Sequence, residues 1–281
     1  MAITAAQVKE LREMTGAGMM ECKKALTEAE ADMEKAIDLL REWGLAKIVK
    51  KAGRATNEGT IMAVVADDAK SAAVIELNCE TDFVGMNEKF KGYAENIAKI
   101  VLAKKYNDAE AAKADEEIAA LITDCVHVMG ENTQLSRAVA VEGDAVCAYI
   151  HMGGKIGVVV KFEAEGIDPT SDAFVTYGRD VAMQVAAMSP VAANRESVPA
   201  DVVAKEMEIY KAQAAASGKP ENIQEKIATG RLEKYYAENC LTEQAFVKDG
   251  DLTIQTYTDK VAKELGGSIK VVDFVRFALG E

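Results

Sequence analysis

Five cysteines and two histidines are the side chains of this 281-residue sequence best suited to attack, ligate or shuttle protons. Cys22, Cys79, Cys125, Cys147 and Cys240 are odd in number and contain no CxxC pair, so reduced, buried thiols are expected. His127 falls on a helical stretch before Gly130, and His151 near the end of a strand-like run. Neither has a cysteine or carboxylate at metal-ligand spacing, which points to structural roles. The sequence has no GxxxxGK phosphate loop, no GxGxxG after a strand and no HExxH, so no NTPase, dinucleotide enzyme or zincin is signalled. No cofactor, metal or nucleotide of its own is expected. A cysteine nucleophile lacks any local signature. The residues point to binding rather than bond-making.

Three short segments could serve binding. Met19-Met20 follow Gly16-Ala17-Gly18, and two adjacent flexible apolar side chains on a helix cannot both face one core. Either one of them meets a partner or both are partly buried against the turn. Thr81-Asp82-Phe83-Val84-Gly85 comes directly after a strand-like run ending at Asn78. Its Phe83 is either a plug on the local core or an exposed wedge for another protein, and Asp82 is expected to fix the loop by accepting backbone N–H bonds. Met129-Gly130 closes a helical stretch, as a plain C-cap or as a further contact.

These segments need elements to hold them. Thr4 with Gln7 forms a capping box and Ile3 with Val8 a hydrophobic staple, which predicts a helix from Ala5 that Gly16 can end. A second helix is predicted from Met19 through Leu26, and a third from Asp32 as N-cap to Gly44. Lys47, Lys50, Lys51 and Arg54, with no acid among them, read as a solvated linker helix or a docking strip. Residues 60–66 and 71–78 read as one β-hairpin, and residues 145–152 and 155–162 as a second around Gly153-Gly154. A displacement of 84 residues sets Glu58-Gly59 on Glu142-Gly143 and Val74-Ile75 on Val158-Val159, which suggests a duplicated unit. Each hairpin is followed by a helical stripe, carried by Phe90, Tyr93, Ala94, Ile97, Ile100 and Val101 or by Phe174, Tyr177, Val181, Val185 and Met188. The first unit continues with a helix through Ile118 and Met129 and a strand from Thr133 to Val141. The second is interrupted by helical runs at 200–217 and 221–236 around Gly218-Lys219-Pro220, an inserted helical hairpin. A helix near Ile254–Leu265 and a strand from Ser268 to Phe277 complete it.

Composition bounds the class. Apolar residues make up 49% and Pro only 4 positions, so the chain should fold, and its length suggests two or three domains. The net charge of −13 argues against direct nucleic-acid binding, which needs a basic face. Residues 1–54 carry 10 basic and 9 acidic groups, leaving 23 and 37 beyond, and that shift marks a boundary near Arg54. No stretch approaches the roughly 18 to 20 apolar residues of a membrane span, and no signal peptide opens the chain, so a soluble, cytoplasmic protein with no membrane contact is expected.

Leu11-Arg12-Glu-Met-Thr-Gly-Ala-Gly-Met19-Met20-Glu-Cys-Lys-Lys-Ala-Leu26 and Glu76-Leu-Asn-Cys-Glu-Thr81-Asp82-Phe83-Val84-Gly85 closely resemble the two signature segments of bacterial translation elongation factor Ts. The resemblance extends over nearly the whole chain, including Tyr149-Ile-His151, Ser217-Gly-Lys-Pro220, Leu241-Thr-Glu-Gln-Ala-Phe246 and Phe274-Val-Arg-Phe277. It implies an α+β fold: an N-terminal three-helix, ubiquitin-associated-like bundle, a core of two related α/β subdomains with antiparallel sheets, and an inserted antiparallel helical hairpin. The division expected here is 1–54 for the bundle and linker, 55–141 for the first subdomain, 142–198 with 237–281 for the second, and 199–236 for the hairpin. The function implied is guanine nucleotide exchange on elongation factor Tu in translation elongation, without covalent catalysis. Thr81, Asp82, Phe83 and Val84 correspond to the family's exchange loop, with Phe83 entering between two helices of the GTPase and disturbing its Mg²⁺ site. Arg12, Met19 and Met20 match positions that touch the nucleotide domain, Met129-Gly130 a helix end beside the wedge, and His151 a contact to the far domain. A homodimer within the complex is compatible with the resemblance. Many members continue into a further C-terminal helix, whereas this sequence ends at Glu281. The rival readings are a helical adaptor whose first 54 residues carry the activity alone, and a thiol enzyme.

Overall fold

The computed structural model describes residues 3–15, 17–51, 53–216, 218 and 220–281, with backbone alone for 45–50. Helices α1 (Ala5–Thr15), α2 (Met19–Glu28) and α3 (Met33–Lys51) form a bundle around Leu11, Cys22, Ala25, Leu26, Ala36 and Leu40. The capping box is present: Gln7 N donates to Thr4 Oγ1 at 3.3 Å and Thr4 N to Gln7 Oε1 at 3.0 Å. Ile3 packs on the same small core as Val8, as a staple requires. Asp32 caps α3 by accepting from Lys35 N at 3.1 Å. Gly16, the expected stop of α1, lies outside the described residues. The third helix does not stop at Gly44. It runs two turns further and absorbs Lys47, Lys50 and Lys51, because Gly44 is buried where α3 packs on a core helix. That packing offsets the roughly 1 kcal/mol a glycine costs in a helix interior.

Strands β1 (Glu58–Val65) and β2 (Ser71–Cys79) form the first hairpin. A single turn α4 (Asp82–Gly85) and helices α5 (Glu88–Lys104), α6 (Ala109–Lys113) and α7 (Glu116–Met129) follow, and β3 (Gln134–Glu142) returns antiparallel beside β2. The pattern repeats with β4 (Ala145–His151), β5 (Ile156–Glu165) and α8 (Asp172–Met188). The chain then leaves through α9 (Ala200–Ala215) and α10 (Glu221–Asn239) and makes a small ribbon of β6 (Ala245–Phe246) and β7 (Asp249–Thr253). It rejoins with α11 (Ile254–Leu265) and β8 (Ser268–Ala278), which pairs antiparallel with β5. The sheet orders β1-β2-β3 and β4-β5-β8 are the same topology. The segments α6 and β6–β7 carry no expectation from sequence.

The two sheets pack face to face over Ile61, Ala72, Val74, Val146, Val159 and Phe277, with helices covering their outer faces. Outward on β2 point Ala73, Ile75, Leu77 and Cys79 against α5 and α7, and on β5 Val158, Val160 and Phe162 against α8. This corrects the sequence offset. The helices α5 and α8, each of 17 residues, are indeed 84 residues apart, but the central strands match at 85: Val74 corresponds to Val159 and Ile75 to Val160. The pairing irregularity at Glu76/Leu77 recurs at Lys161/Phe162 with the same spacing. An offset of 84 would exchange the faces of the strand, since side chains alternate with period two. Among the described residues no helix is long and apolar enough to cross a membrane.

The hairpin α9–α10 packs on itself through Ala214, Ala228 and Leu232. Its base rests on Ala192, Val198 and Cys240 with Val202, Val203, Tyr235 and Tyr236, and Arg195 forks between Glu233 and Glu243 while lying 4.6 Å over the Tyr236 ring. Ser217 and Lys219 of its turn lie outside the described residues. Neither main core cluster includes a residue of α9 or α10. Replacing 202–234 with a short linker should therefore leave one cooperative melt by circular dichroism, with helical signal lost only in proportion to the deleted residues. Global unfolding of that variant would show that the hairpin is integral to the core.

Candidate functional site

The segment between β2 and α5 is short, is N-capped both at its own turn and at the helix that follows, and carries two large apolar side chains in solvent. Thr81, in extended conformation, caps α4 by accepting from Val84 N at 3.4 Å, and Asn87 caps α5 by accepting from Lys89 N at 2.9 Å. Val84 turns inward against the core of the first sheet. Phe83 is 78% exposed, so the plug alternative is excluded. Met86, three residues on and therefore on the same side of the turn, is 57% exposed. Gly85 is buried on β1: a Cβ there would lie 2.7 Å from the Gly59 carbonyl oxygen.

The loop is not fixed by Asp82. That side chain is exposed at the first helical position, where its charge suits the N-terminal end of the turn, and it accepts no hydrogen bond among the described residues. The acceptor is Glu131, which follows Gly130. Its Oε2 accepts from Glu80 N and Thr81 N at 3.0 Å each, and its Oε1 accepts from the Thr81 hydroxyl at 2.7 Å. Glu80 returns the contact by accepting from Asn132 N at 2.7 Å. Asn132 Nδ2 donates to the Arg54 carbonyl at 2.9 Å, and Lys51 Nζ to the Gly130 carbonyl, so the end of the basic run is tied to the same place.

Met129 ends α7 half-buried against the first core, and Gly130 caps it in the left-handed conformation at φ 76°. The buried side chain of His127 faces Gly44 of α3 and stands 3.9 Å from Glu21 of α2, where the N-terminal bundle meets α7. Met19 and Met20, in the first turn of α2, are 59% and 75% exposed, so both lie outside the bundle core, and Arg12 on α1 is exposed as well. His151 ends β4 half-buried, its Nδ1 2.9 Å from the Tyr149 hydroxyl. The next residue, Met152, is exposed in the turn. That turn is held to the first sheet, with Ile61 N donating to the Gly154 carbonyl at 2.7 Å and Lys155 meeting Glu58 at 2.8 Å. The start of β1 thus supports both the Phe83 turn, through Gly59, and the His151 turn, through Ile61. Arg12, Met19 and Met20 stand apart on the bundle. Glu131, Met86 and Met152 are not found by sequence reasoning. Met86 has a signal, its three-residue spacing from Phe83, whereas Glu131 has none, because its partners are fifty residues away.

The thiols do not form a reactive site. All five cysteines are buried. Burial pushes Cys79 and Cys125 up to about 12 and Cys147 and Cys240 up to about 11, with the Glu131 carboxylate adding to the effect on Cys79. Burial raises Cys22 too. Thiolate at neutral pH is negligible, so a colourless-to-yellow disulfide reagent should modify the native chain far more slowly than the chain in guanidinium. Prompt, stoichiometric modification of one native thiol would revive the nucleophile reading.

A family model described as Elongation factor TS matches residues 80–281. A protein named Elongation factor Ts from Trichlorobacter lovleyi is 47% identical, the match covering 100% of this chain and 94% of that one. Proteins of the same name from Clostridium botulinum strains 657 and Eklund 17B are 46% and 48% identical, over 99% of this chain and 93% of theirs. Identity at this level along the full length, with the α+β architecture described above, shows that the chain belongs to the elongation factor Ts family of translation elongation factors.

Proposed function

We propose that the chain is a guanine nucleotide exchange factor for elongation factor Tu, acting in the cytoplasm without covalent chemistry. It binds the GDP-bound GTPase, disturbs the Mg²⁺ and phosphate site through Thr81–Val84, and promotes GDP release so that GTP can rebind. The observation that carries this reading is Phe83, 78% exposed on a turn that Thr81 caps and that the Asn87-capped helix α5 follows at once. Burying a Phe side chain is worth about 1.5 to 3 kcal/mol, and a rigid presentation leaves that energy for the partner. Mg²⁺ demands near-octahedral oxygen ligands, so a wedge that shifts them slightly is costly to GDP-Mg²⁺ binding. Linkage makes the effect mutual: factor and nucleotide weaken each other by the same factor. Arg12, Met19 and Met20 would meet the nucleotide domain, Met129-Gly130 would stand beside the wedge, and His151 would reach the far domain. The division at residues 1–54, 55–141, 142–198 with 237–281, and 199–236 belongs to the same proposal. The test is release of a fluorescent GDP analogue from elongation factor Tu. A saturable acceleration by this chain is expected, and an unchanged rate at saturating chain would refute the assignment.

A further inference from the structure

We infer that Glu131 is a positioning residue for exchange, holding the Thr81–Val84 turn in the conformation that presents Phe83. The inference rests on the reading of that turn as the exchange element. The carboxylate uses both oxygens on the loop, taking two backbone N–H groups and one hydroxyl between 2.7 and 3.0 Å. Hydrogen bonds to an ionised acceptor are about twice as strong as neutral ones. The hydroxyl it orients has a second duty. Thr81 Oγ1 donates to Glu131 and accepts from Val84 N, so the carboxylate sets the hydroxyl proton and leaves a lone pair for the N–H beyond Phe83. Glu80 completes a reciprocal clasp by accepting from Asn132 N, so each segment's carboxylate holds the other segment's backbone. The loop's own acid, Asp82, takes no part in this and is free to face the partner. Phe83 is thus placed by a residue that need not touch the GTPase.

The test measures GDP release from the GTPase as a function of exchange-factor concentration for Glu131→Ala, Glu131→Gln, Phe83→Ala and the Glu131→Ala/Phe83→Ala pair. Glu131→Ala should lower the saturating rate about 10- to 100-fold, the effect of losing hydrogen bonds to a charged group. The half-saturating concentration should change less than about threefold, because the surfaces on α2 and the β4–β5 turn are untouched. Glu131→Gln keeps a carbonyl acceptor and should recover a large part of the loss. The pair should be no slower than Phe83→Ala alone, because positioning acts through Phe83. A Glu131→Ala saturating rate within about twofold of the parent, beside a slow Phe83→Ala, would overturn the inference while leaving the exchange loop intact. So would losses that multiply in the pair, which would mark a general structural role. A normal rate for Phe83→Ala would instead remove the loop reading itself. If Glu131→Ala does not fold by circular dichroism, Thr81→Val, which removes the hydroxyl that Glu131 orients, carries the same test and is expected to lower the saturating rate. A parent-like rate in a folded Thr81→Val would overturn the inference.

Discussion

Phe83→Ala should melt at nearly the same temperature as the parent and yet release GDP from elongation factor Tu roughly 10- to 150-fold more slowly. Both halves follow from one observation, the 78% exposure of the ring in the free chain. A buried Phe truncated to Ala costs about 3 to 5 kcal/mol through lost transfer energy and the cavity left behind. An exposed ring has little of either to lose. On the proposed mechanism the ring is buried only in the exchange-active complex, where about 1.5 to 3 kcal/mol would be forfeited, and that range sets the expected rate ratio. Thermal melts read by circular dichroism check the first half, and stopped-flow release of a fluorescent analogue the second. A folded variant that exchanges at the parental rate would sink the wedge mechanism even if binding survived. Asp82→Ala should have the smaller effect, since the Asp82 side chain accepts no hydrogen bond among the described residues and its turn is held by Thr81 and Glu131.

What was readable in the sequence was what local chemistry encodes. The Thr4–Gln7 box, the Asp32 cap, the Gly-Gly turn before Lys155 and the stripes of α5 and α8 each announce themselves within a few residues, and the structure places them there. The one-residue error in the repeat has a physical origin. Residues 72–79 of β2 are buried on both faces, between α5 and the second sheet, so no alternation marks which side chain points which way. The overrun of α3 past Gly44 is a tertiary override of a local stop signal. The site divides in the same manner. Phe83, Met19 and Met20 could be singled out as apolar side chains without an evident core, but the partner proposed for them rests on a resemblance. The residue that holds the loop, Glu131, sits on a separate segment that only folding brings against it.

Gly85→Ala is expected to lower exchange strongly while costing about 1 to 3 kcal/mol of stability, the usual penalty of overpacking. The new Cβ would sit 2.7 Å from the Gly59 carbonyl oxygen and 3.2 Å from its carbon, and both are backbone atoms of β1. They cannot turn aside as a side chain can. Gly59 is itself wedged: a Cβ on it would lie 2.2 Å from the Leu77 carbonyl oxygen, and its φ of 149° is one that other residues rarely adopt. With β1 paired to β2 across its whole length, the strand stays and α4 must shift outward. That shift stretches the bonds from Thr81 to Glu131 and moves Phe83 by several tenths of an ångström, on the order of what rigid sites tolerate poorly. Gly59→Ala should behave differently, with a larger fall in melting temperature, because its clash lies within the paired strands rather than under the loop. The two variants therefore separate a supporting contact from a structural one: melting temperature and saturating GDP-release rate, measured on each, should show Gly85→Ala losing proportionally more exchange and Gly59→Ala more stability. Parental exchange by Gly85→Ala would mean that Phe83 does not depend on its seat against β1.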